Sequence, residues 1–132
     1  MIVDDHAIMR RMLRAVFEAE DLRVSDAADG AEGVQKANEE KPNLIILDMS
    51  MPVMNGLEAA RELKILMPHV PLLMFTNNAG KILKKDALAA GIFAVVCKTD
   101  SDSSKQLVGH ARALLGLDEA GSSSRVVYGN AG

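Results

Sequence analysis

The sequence predicts an α/β protein built on a doubly wound, five-stranded parallel sheet with helices on both faces. Short apolar segments alternate five times with longer segments whose apolar residues recur at helical spacing. One short segment, residues 44–47, is continuously apolar, which is typical of a parallel strand buried on both faces. Such an alternation requires crossover helices on the two sides of the sheet. The length of 132 residues corresponds to one domain.

Composition and charge exclude several classes of protein. Hydrophobic residues make up 48% and charged residues 25% of the chain, as in an ordinary globular domain. A net charge of −3 gives no electrostatic basis for direct nucleic-acid binding. The single cysteine, Cys97, excludes an intramolecular disulfide and fits a reducing compartment. No apolar run suits a membrane span and no signal peptide is evident, so we expect a cytoplasmic protein.

The first half of the chain contains three predicted strands and two predicted helices. The strands are expected over residues 2–3, 22–27 and 44–47, and the helices over residues 6–20 and 31–40. Asp5 is well placed to cap the first helix, and Asp29-Gly30 is a turn signal before the second. The first helix has an apolar face at helical spacing, formed by Ile8, Met9, Met12, Leu13, Val16 and Phe17.

The second half continues the alternation. Helices are expected over residues 57–67, 81–90 and 103–115, and strands over residues 70–75 and 93–97. Gly91 ends the fourth helix, and Ser101 or Asp102 caps the fifth. Right-handed crossovers favour the flavodoxin-like strand order 2-1-3-4-5. Since glycine and serine are frequent near the end of the chain, we assign residues 1–116 to the domain and 117–132 to a polar, flexible tail.

Polar side chains follow four of the five predicted strands. Asp4 and Asp5 follow the first strand, Asp48 the third, Thr76 the fourth and Lys98 the fifth. Because parallel strands end at the same edge of a sheet, these side chains should converge there. Singly, the two acids could only cap a helix, and Lys98 could be a solvated lysine. The set of residues, however, indicates a site.

Three converging carboxylates favour a bound cation. Two unit charges about 4 Å apart cost ~4 kcal/mol at an effective dielectric of ~20. Mg²⁺ prefers oxygen ligands and would relieve this repulsion. It would also neutralise an incoming phosphate. A carboxylate is a known covalent nucleophile for phosphoryl groups, and an ammonium such as that of Lys98 pairs with phosphate oxygens.

These residues, in this order, resemble the receiver domain of response regulators over about residues 1–116. The matching motifs are Val3-Asp4-Asp5-His6, Leu47-Asp48-Met49, Met51-Pro52-Val53-Met54-Asn55-Gly56, Phe75-Thr76 and Val96-Cys97-Lys98. Asp5-His6 and Lys98-Thr99 also resemble the subfamily whose members carry a helix-turn-helix output domain.

The resemblance implies a phosphorylation switch in a two-component system. Asp48 would accept a phosphoryl group from a sensor histidine kinase or phosphotransfer protein, with Thr76 and Lys98 contacting the phosphoryl oxygens. The metal ligands for Mg²⁺ would be Asp4, Asp5, Asp48 and the backbone carbonyl of Ser50. The surface of strand 4, helix 4 and strand 5 would then rearrange and bind a partner or a second copy. The chain would have at most autophosphatase activity and would not be a conventional enzyme.

Two other functions remain open on the sequence. A degenerate receiver that only binds proteins is suggested by the short first strand and by Val95, where the family often has an aromatic residue. Phe93, two residues earlier, is expected on the same face as Val95. A nucleotide- or flavin-binding enzyme on the same fold would need a phosphate-binding loop, but neither glycine-rich motif is present. We expect His6 to be a surface residue of the first helix.

Overall fold

The computed structural model describes residues 1–77, 79–82 and 84–117, with Lys81 described by its backbone alone. The strands are β1 (Ile2–Val3), β2 (Asp26–Ala27), β3 (Ile45–Leu47), β4 (Leu72–Thr76) and β5 (Ile92–Cys97). The helices are α1 (Ala7–Glu18), α2 (Gly30–Glu40), α3 (Gly56–Leu66), α4 (Lys84–Ala89) and α5 (Ser103–Leu114), and a 3₁₀ turn (Ala79–Lys81) precedes α4. Most of the predicted tail lies outside the described residues.

The sheet has the predicted topology. The five strands are ordered β2-β1-β3-β4-β5 and every neighbouring pair is parallel. The predicted flavodoxin-like fold class is therefore confirmed. Within the described part of the chain, no helix is long and apolar enough to cross a bilayer.

Two hydrophobic cores, one on each face of the sheet, account for the continuous apolar run in β3. Ile45 and Leu47 pack on the face covered by α2, α3 and α4, whereas Ile46 packs on the face covered by α1 and α5. Successive strand residues point to opposite faces, so a strand with a core on both sides needs an apolar residue at every position. The central strands thus hold the carboxyl edge of the sheet in place.

The start of α1 differs from the prediction. Asp5 does not cap the helix; the N-cap residue is His6, which makes no side-chain capping bond. Instead, the Asp4 carboxylate accepts a hydrogen bond from the His6 N–H at 2.9 Å. The apolar face is also narrower than predicted, because Leu13 and Phe17 are buried while Ile8 is 75% exposed and Met12 is 39% exposed.

The second strand is shorter than the predicted 22–27. Among the described strands, β2 lies at the edge of the sheet and pairs with β1. The ladder between them begins at the pair Ile2↔Asp26, so residues 22–25 have no paired strand residue opposite them. The start of α4 also differs from the prediction: the helix begins at Lys84 instead of residue 81, and Lys81 is the last residue of the 3₁₀ turn.

An irregularity in β5 overturns the expectation for Phe93. Leu72 pairs with Ile92, but Leu73 pairs with Ala94, so Phe93 is an extra residue in the strand. The alternation is therefore interrupted, and Phe93 and Val95 do not share a face. Val95 packs on the α2–α4 side, while the Phe93 ring is 58% exposed and meets the His110 ring of α5 edge-on, with centroids 6.0 Å apart.

Gly56 allows the loop after β3 to fold back against the strand end. A Cβ at Gly56 would overlap the carbonyl oxygen of Asp48, which is backbone and has little freedom to yield. The Gly56 N–H donates to the carbonyl of Met49 at 2.8 Å, and Asn55 caps α3 by accepting a hydrogen bond from the Glu58 N–H. The loop next to Asp48 is thereby fixed at both ends.

We expect Gly56→Ala to lower the free energy of unfolding by about 1–3 kcal/mol, because the added methyl overpacks against backbone. Gly109→Ala is the matched control: Gly109 lies in α5 and a methyl group added there would meet no atom within 4 Å, so alanine should raise stability by up to about 1 kcal/mol. Urea denaturation measures both changes. A Gly56→Ala protein as stable as the parent would contradict the assigned backbone contact.

Candidate functional site

The carboxyl edge of the sheet brings four of the predicted site residues together. Backbone pairing fixes their positions: the Asp48 N–H donates to the carbonyl of Val3, and the Lys98 N–H donates to the carbonyl of Thr76. Asp4 likewise donates its N–H to the carbonyl of Ala27 at 3.1 Å. The ends of β1, β3, β4 and β5 therefore meet around one point.

A buried lysine joins the two buried acids. Lys98 Nζ lies 2.7 Å from Asp4 Oδ2 and 3.5 Å from Asp48 Oδ2. The side chains of Lys98, Asp4 and Asp48 are 4%, 2% and 5% exposed, so these charges are almost out of contact with water. The Phe75 ring lies beside the same ammonium, with 5.9 Å from Nζ to its centroid. The lysine is held between the carboxylates.

Two hydrogen-bond donors are directed at the Asp48 carboxylate. The Met49 N–H donates to Asp48 Oδ1 at 2.8 Å. The hydroxyl of Thr76, which is fully buried, also hydrogen-bonds to this carboxylate. With Lys98, these groups orient the carboxylate.

Burial raises the pKa of Asp48 above its ordinary value of 3.8. Lys98 opposes the shift by its positive charge, Asp4 adds to it by repulsion, and hydrogen bonds from Thr76 and Met49 oppose it. Desolvation is the largest effect, so one lysine does not fully compensate for removing this carboxylate from water. A further positive charge at the site would favour the ionised form of Asp48.

The outer rim of the site is formed by Asp5 and His6. His6 Nδ1 lies 3.1 Å from Asp5 Oδ1 and 3.2 Å from Asp4 Oδ1. One ligand atom from each of Asp4, Asp5, His6 and Asp48 lies within 4.8 Å of the others. Such a carboxylate-rich donor set suits a hard divalent cation. Ser50 is exposed in the loop that follows β3.

His6 and Arg10 have contacts at the site that the sequence reasoning did not anticipate. His6 is 66% exposed, as expected of a surface residue, yet its ring nitrogen contacts both the buried Asp4 and the more exposed Asp5. Arg10 Nη1 donates to the backbone carbonyl of Asp4 at 2.7 Å, which anchors the β1–α1 connection. A positive charge in the first turn of a helix interacts unfavourably with the helix dipole. The position of Arg10 in that turn was therefore the sign in the sequence that its side chain has a partner outside the helix.

Comparison with known proteins identifies the family. The response regulator receiver domain matches residues 1–108. The chain therefore belongs to this family, as its motifs predicted, and it is a receiver domain of the response regulators of two-component signalling.

The curated relatives are longer proteins of more than one kind. The chain is 36% identical over 102 residues to a protein-glutamate methylesterase/protein-glutamine glutaminase of Methanococcoides burtonii, covering 74% of the chain and 29% of that protein. It is 31% identical over 102 residues to the virulence factors putative positive transcription regulator BvgA of Bordetella pertussis, covering 76% and 49%. The chain thus spans less than half the length of these relatives, and the activities in their names concern those whole proteins.

Solved structures agree with the fold. The response regulator domain of Thermotoga maritima CheB has a TM-score of 0.78 and 28% identity, covering 89% of this chain and 95% of that one. A two-component response regulator of the LuxR family from Aurantimonas sp. has a TM-score of 0.79 and 30% identity, covering 87% and 82%. The acidic cluster of Asp4, Asp5 and Asp48 fits the phosphoacceptor site of this family.

Asp48→Asn is expected to stabilise the protein at neutral pH in the absence of divalent cations. Because the pKa of Asp48 is raised in the folded state, protonation of Asp48 favours folding. This contribution to the free energy of unfolding is fully present below pH 3.8 and is lost as pH rises through the folded-state pKa. Asparagine does not ionise, so the variant should exceed the parent in stability at pH 7 and lose that advantage in acid. Urea denaturation at several pH values measures the difference.

Glu39→Gln is the control, because it removes one negative charge at an exposed position of α2. If both substitutions change stability equally at every pH, burial of Asp48 is not the cause.

Proposed function

We propose that Asp48 accepts a phosphoryl group from the phosphohistidine of a sensor histidine kinase or a phosphotransfer protein. Members of the receiver-domain family interact with histidine kinases or phosphotransfer proteins. The observation that carries the proposal is the position of Asp48, buried at the strand end and oriented by Lys98, Thr76 and the Met49 N–H. In the transfer, a carboxylate oxygen of Asp48 bonds to phosphorus while the bond from phosphorus to the donor nitrogen breaks. The donor imidazole keeps that electron pair.

Lys98 and Thr76 are proposed to stabilise the product. The ammonium of Lys98 lies 2.7 Å from Asp4 Oδ2 and 3.5 Å from Asp48 Oδ2, so it is next to the carboxylate that would carry the phosphoryl group. Thr76 donates its hydroxyl hydrogen bond to the same group. An aspartyl phosphate carries up to about two negative charges, so both donors interact more strongly with it than with the carboxylate.

Mg²⁺ is the proposed cofactor, as receiver domains generally bind it at an acidic pocket. We assign its ligands to Asp4, Asp5, Asp48 and the backbone carbonyl of Ser50. The ion supplies positive charge that neutralises the carboxylates and an incoming phosphate. The raised pKa of Asp48 supports this assignment, because it indicates that the residues present leave negative charge incompletely compensated.

The proposed output surface comprises α4 and β5. A charge-assisted hydrogen bond contributes about 1.5–3 kcal/mol, whereas shifting an equilibrium from 1:99 to 99:1 requires about 5.5 kcal/mol. Thr76 alone is therefore insufficient, and Lys98 and repacking between β4 and β5 must contribute. The exposed Leu88 and Phe93 lie on this surface and support its assignment as a face for a partner or a second copy.

The remaining assignments concern the whole chain. We propose that residues 1–116 are the receiver domain, that 117–132 are a tail or linker, and that the protein works in the cytoplasm without binding nucleic acid directly. The net charge of −3 supports the last point.

Incubation with acetyl phosphate and Mg²⁺ is expected to add one phosphoryl group, detected by intact-protein mass spectrometry. Asp48→Asn should abolish the gain, and chelation of Mg²⁺ should reduce it at least about tenfold, as loss of charge stabilisation in a transition state does. Unmodified protein under these conditions would favour the alternative function, a degenerate receiver that only binds other proteins.

Lys98→Met should leave the acceptor carboxylate in place but weaken the switch. We expect phosphorylation to persist while the NMR shifts of the α4–β5 backbone on phosphorylation become markedly smaller. Lys105→Met, at an exposed position of α5, removes the same charge away from the site and is the matched control. Equal responses in the two variants would exclude Lys98 from the switch.

A further inference from the structure

His6 places a ring nitrogen among the carboxylate oxygens at the carboxyl edge of the sheet. Its Nδ1 atom lies 3.1 Å from Asp5 Oδ1 and 3.2 Å from Asp4 Oδ1. One ligand atom from each of these three residues and from Asp48 lies within 4.8 Å of the others. The acidic cluster therefore offers a nitrogen ligand beside its oxygen ligands.

Neither helix capping nor burial accounts for the position of the His6 ring. His6 is the N-cap residue of α1, and its side chain makes no capping hydrogen bond. The side chain is 66% exposed, so no hydrophobic core holds the ring in place. The ring nitrogen is directed at two carboxylates instead.

A hydrogen bond accounts for one of the two contacts of His6 Nδ1. A nitrogen of a neutral imidazole has either one hydrogen or one lone pair, and one hydrogen serves one acceptor with good geometry. Asp4 Oδ1 already accepts a hydrogen bond from the backbone N–H of His6 at 2.9 Å. A cation shared with Asp4 and Asp5 would use the lone pair of the ring nitrogen and satisfy all three groups.

The spacing of these atoms matches that of ligands around one small divalent ion. Two ligand atoms about 2.1 Å from a shared ion are about 3.0 Å apart at a right angle and about 3.4 Å apart at the tetrahedral angle. The separations of 3.1 and 3.2 Å between Nδ1 and the two carboxylate oxygens lie between these values.

The segment that carries these ligands is held in place by its own hydrogen bonds. Arg10 Nη1 donates to the carbonyl of Asp4 at 2.7 Å, and the Asp4 N–H donates to the carbonyl of Ala27. Asp4 is 2% exposed, whereas Asp5 is 31% and His6 66% exposed, so the cluster opens to solvent on the side of the latter two. An ion that arrives from that side meets ligands that are already in position.

The added nitrogen changes which ions the cluster prefers. Mg²⁺ prefers oxygen ligands and gives up its water reluctantly. Imidazole suits transition-metal ions such as Zn²⁺, which also accept carboxylate oxygens. The carboxylates therefore suit ions of both classes, whereas the His6 ring favours the transition metals.

We propose that His6 is a metal ligand that adapts the acidic cluster to a divalent transition-metal ion of the Zn²⁺ class. The ion is bound by the ring nitrogen of His6 together with carboxylate oxygens of Asp4, Asp5 and Asp48. This inference deepens the proposed function and rests on its assignment of a cation site to these carboxylates. Because the two ions compete for the same carboxylates, the receiver is sensitive to the ratio of Zn²⁺ to Mg²⁺.

Isothermal titration calorimetry of the full chain, with ZnCl₂ and separately with MgCl₂, tests the proposal. His6→Ala should lower the affinity for Zn²⁺ at least about tenfold, since loss of even an outer partner of a metal ligand typically costs about 10–100-fold. The affinity for Mg²⁺ should change by less than about twofold, because Mg²⁺ prefers oxygen ligands. Alanine should leave α1 intact, since the His6 side chain makes no capping bond.

His69→Ala is the matched control. It removes an imidazole from an exposed position before β4, at the opposite edge of the sheet, and should leave both affinities unchanged. In protein labelled with ¹⁵N-histidine, Zn²⁺ should shift the Nδ1 resonance of His6 and leave those of His69 and His110 in place.

Equal Zn²⁺ affinities for the parent and His6→Ala, or a His6 ring resonance that Zn²⁺ does not shift, would overturn the proposal. Binding of Mg²⁺ and phosphoryl uptake by Asp48 in the same parent protein would then leave the proposed function intact. Conversely, a parent chain that binds Zn²⁺ through His6 but takes up no phosphoryl group would support this inference and count against the proposed function alone.

Discussion

The rest of the site depends on two carboxylates that are buried beside one lysine. Asp4 and Asp48 are almost completely removed from water, and Lys98 lies between them. A buried charge is tolerated only when partners replace the lost hydration, and removal of one partner from such a group is strongly unfavourable. The hydroxyl of Thr76, the N–H of Met49 and the N–H of His6 supply part of this replacement. The remaining negative charge makes the site receptive to a cation.

The two-faced core makes this burial possible. β1, β3 and β4 have apolar side chains on both faces, so helices pack against the sheet from both sides and exclude water up to the strand ends. Polar residues occur where the strands stop, and the parallel topology places these positions side by side. The site thus follows from the order of the strands and from where each apolar run ends.

The fold class could be predicted from the periodicity of the sequence, and the residues that would meet could be predicted from where each apolar run ends. The strand order followed from the preference of such folds for right-handed crossovers. The apolar residues 44–47 followed by Asp48 define both a buried strand and a polar end, and only a parallel sheet reconciles this with the other segments.

Details that depend on pairing were not predictable in this way. Residues 22–25 have strand character, but whether they form a strand depends on the length of β1 opposite them. Helical spacing predicted Ile8 and Met12 on the apolar face of α1. It does not indicate how much of that face packs against the sheet, and both residues are in fact exposed. The extra residue at Phe93 has no signature in the sequence, since an apolar run looks the same with or without an irregular pairing.

The side chain of Val95 limits the rearrangements that are open to β5. A β-branched side chain has essentially one comfortable χ1 setting and is too short to sweep between two pockets. Val95 also packs into the α2–α4 core, where neighbouring atoms restrict it further. A rearrangement of the α4–β5 surface of the kind proposed above would therefore leave the Val95 side chain in the α2–α4 core and would have to move the main chain of β5 instead.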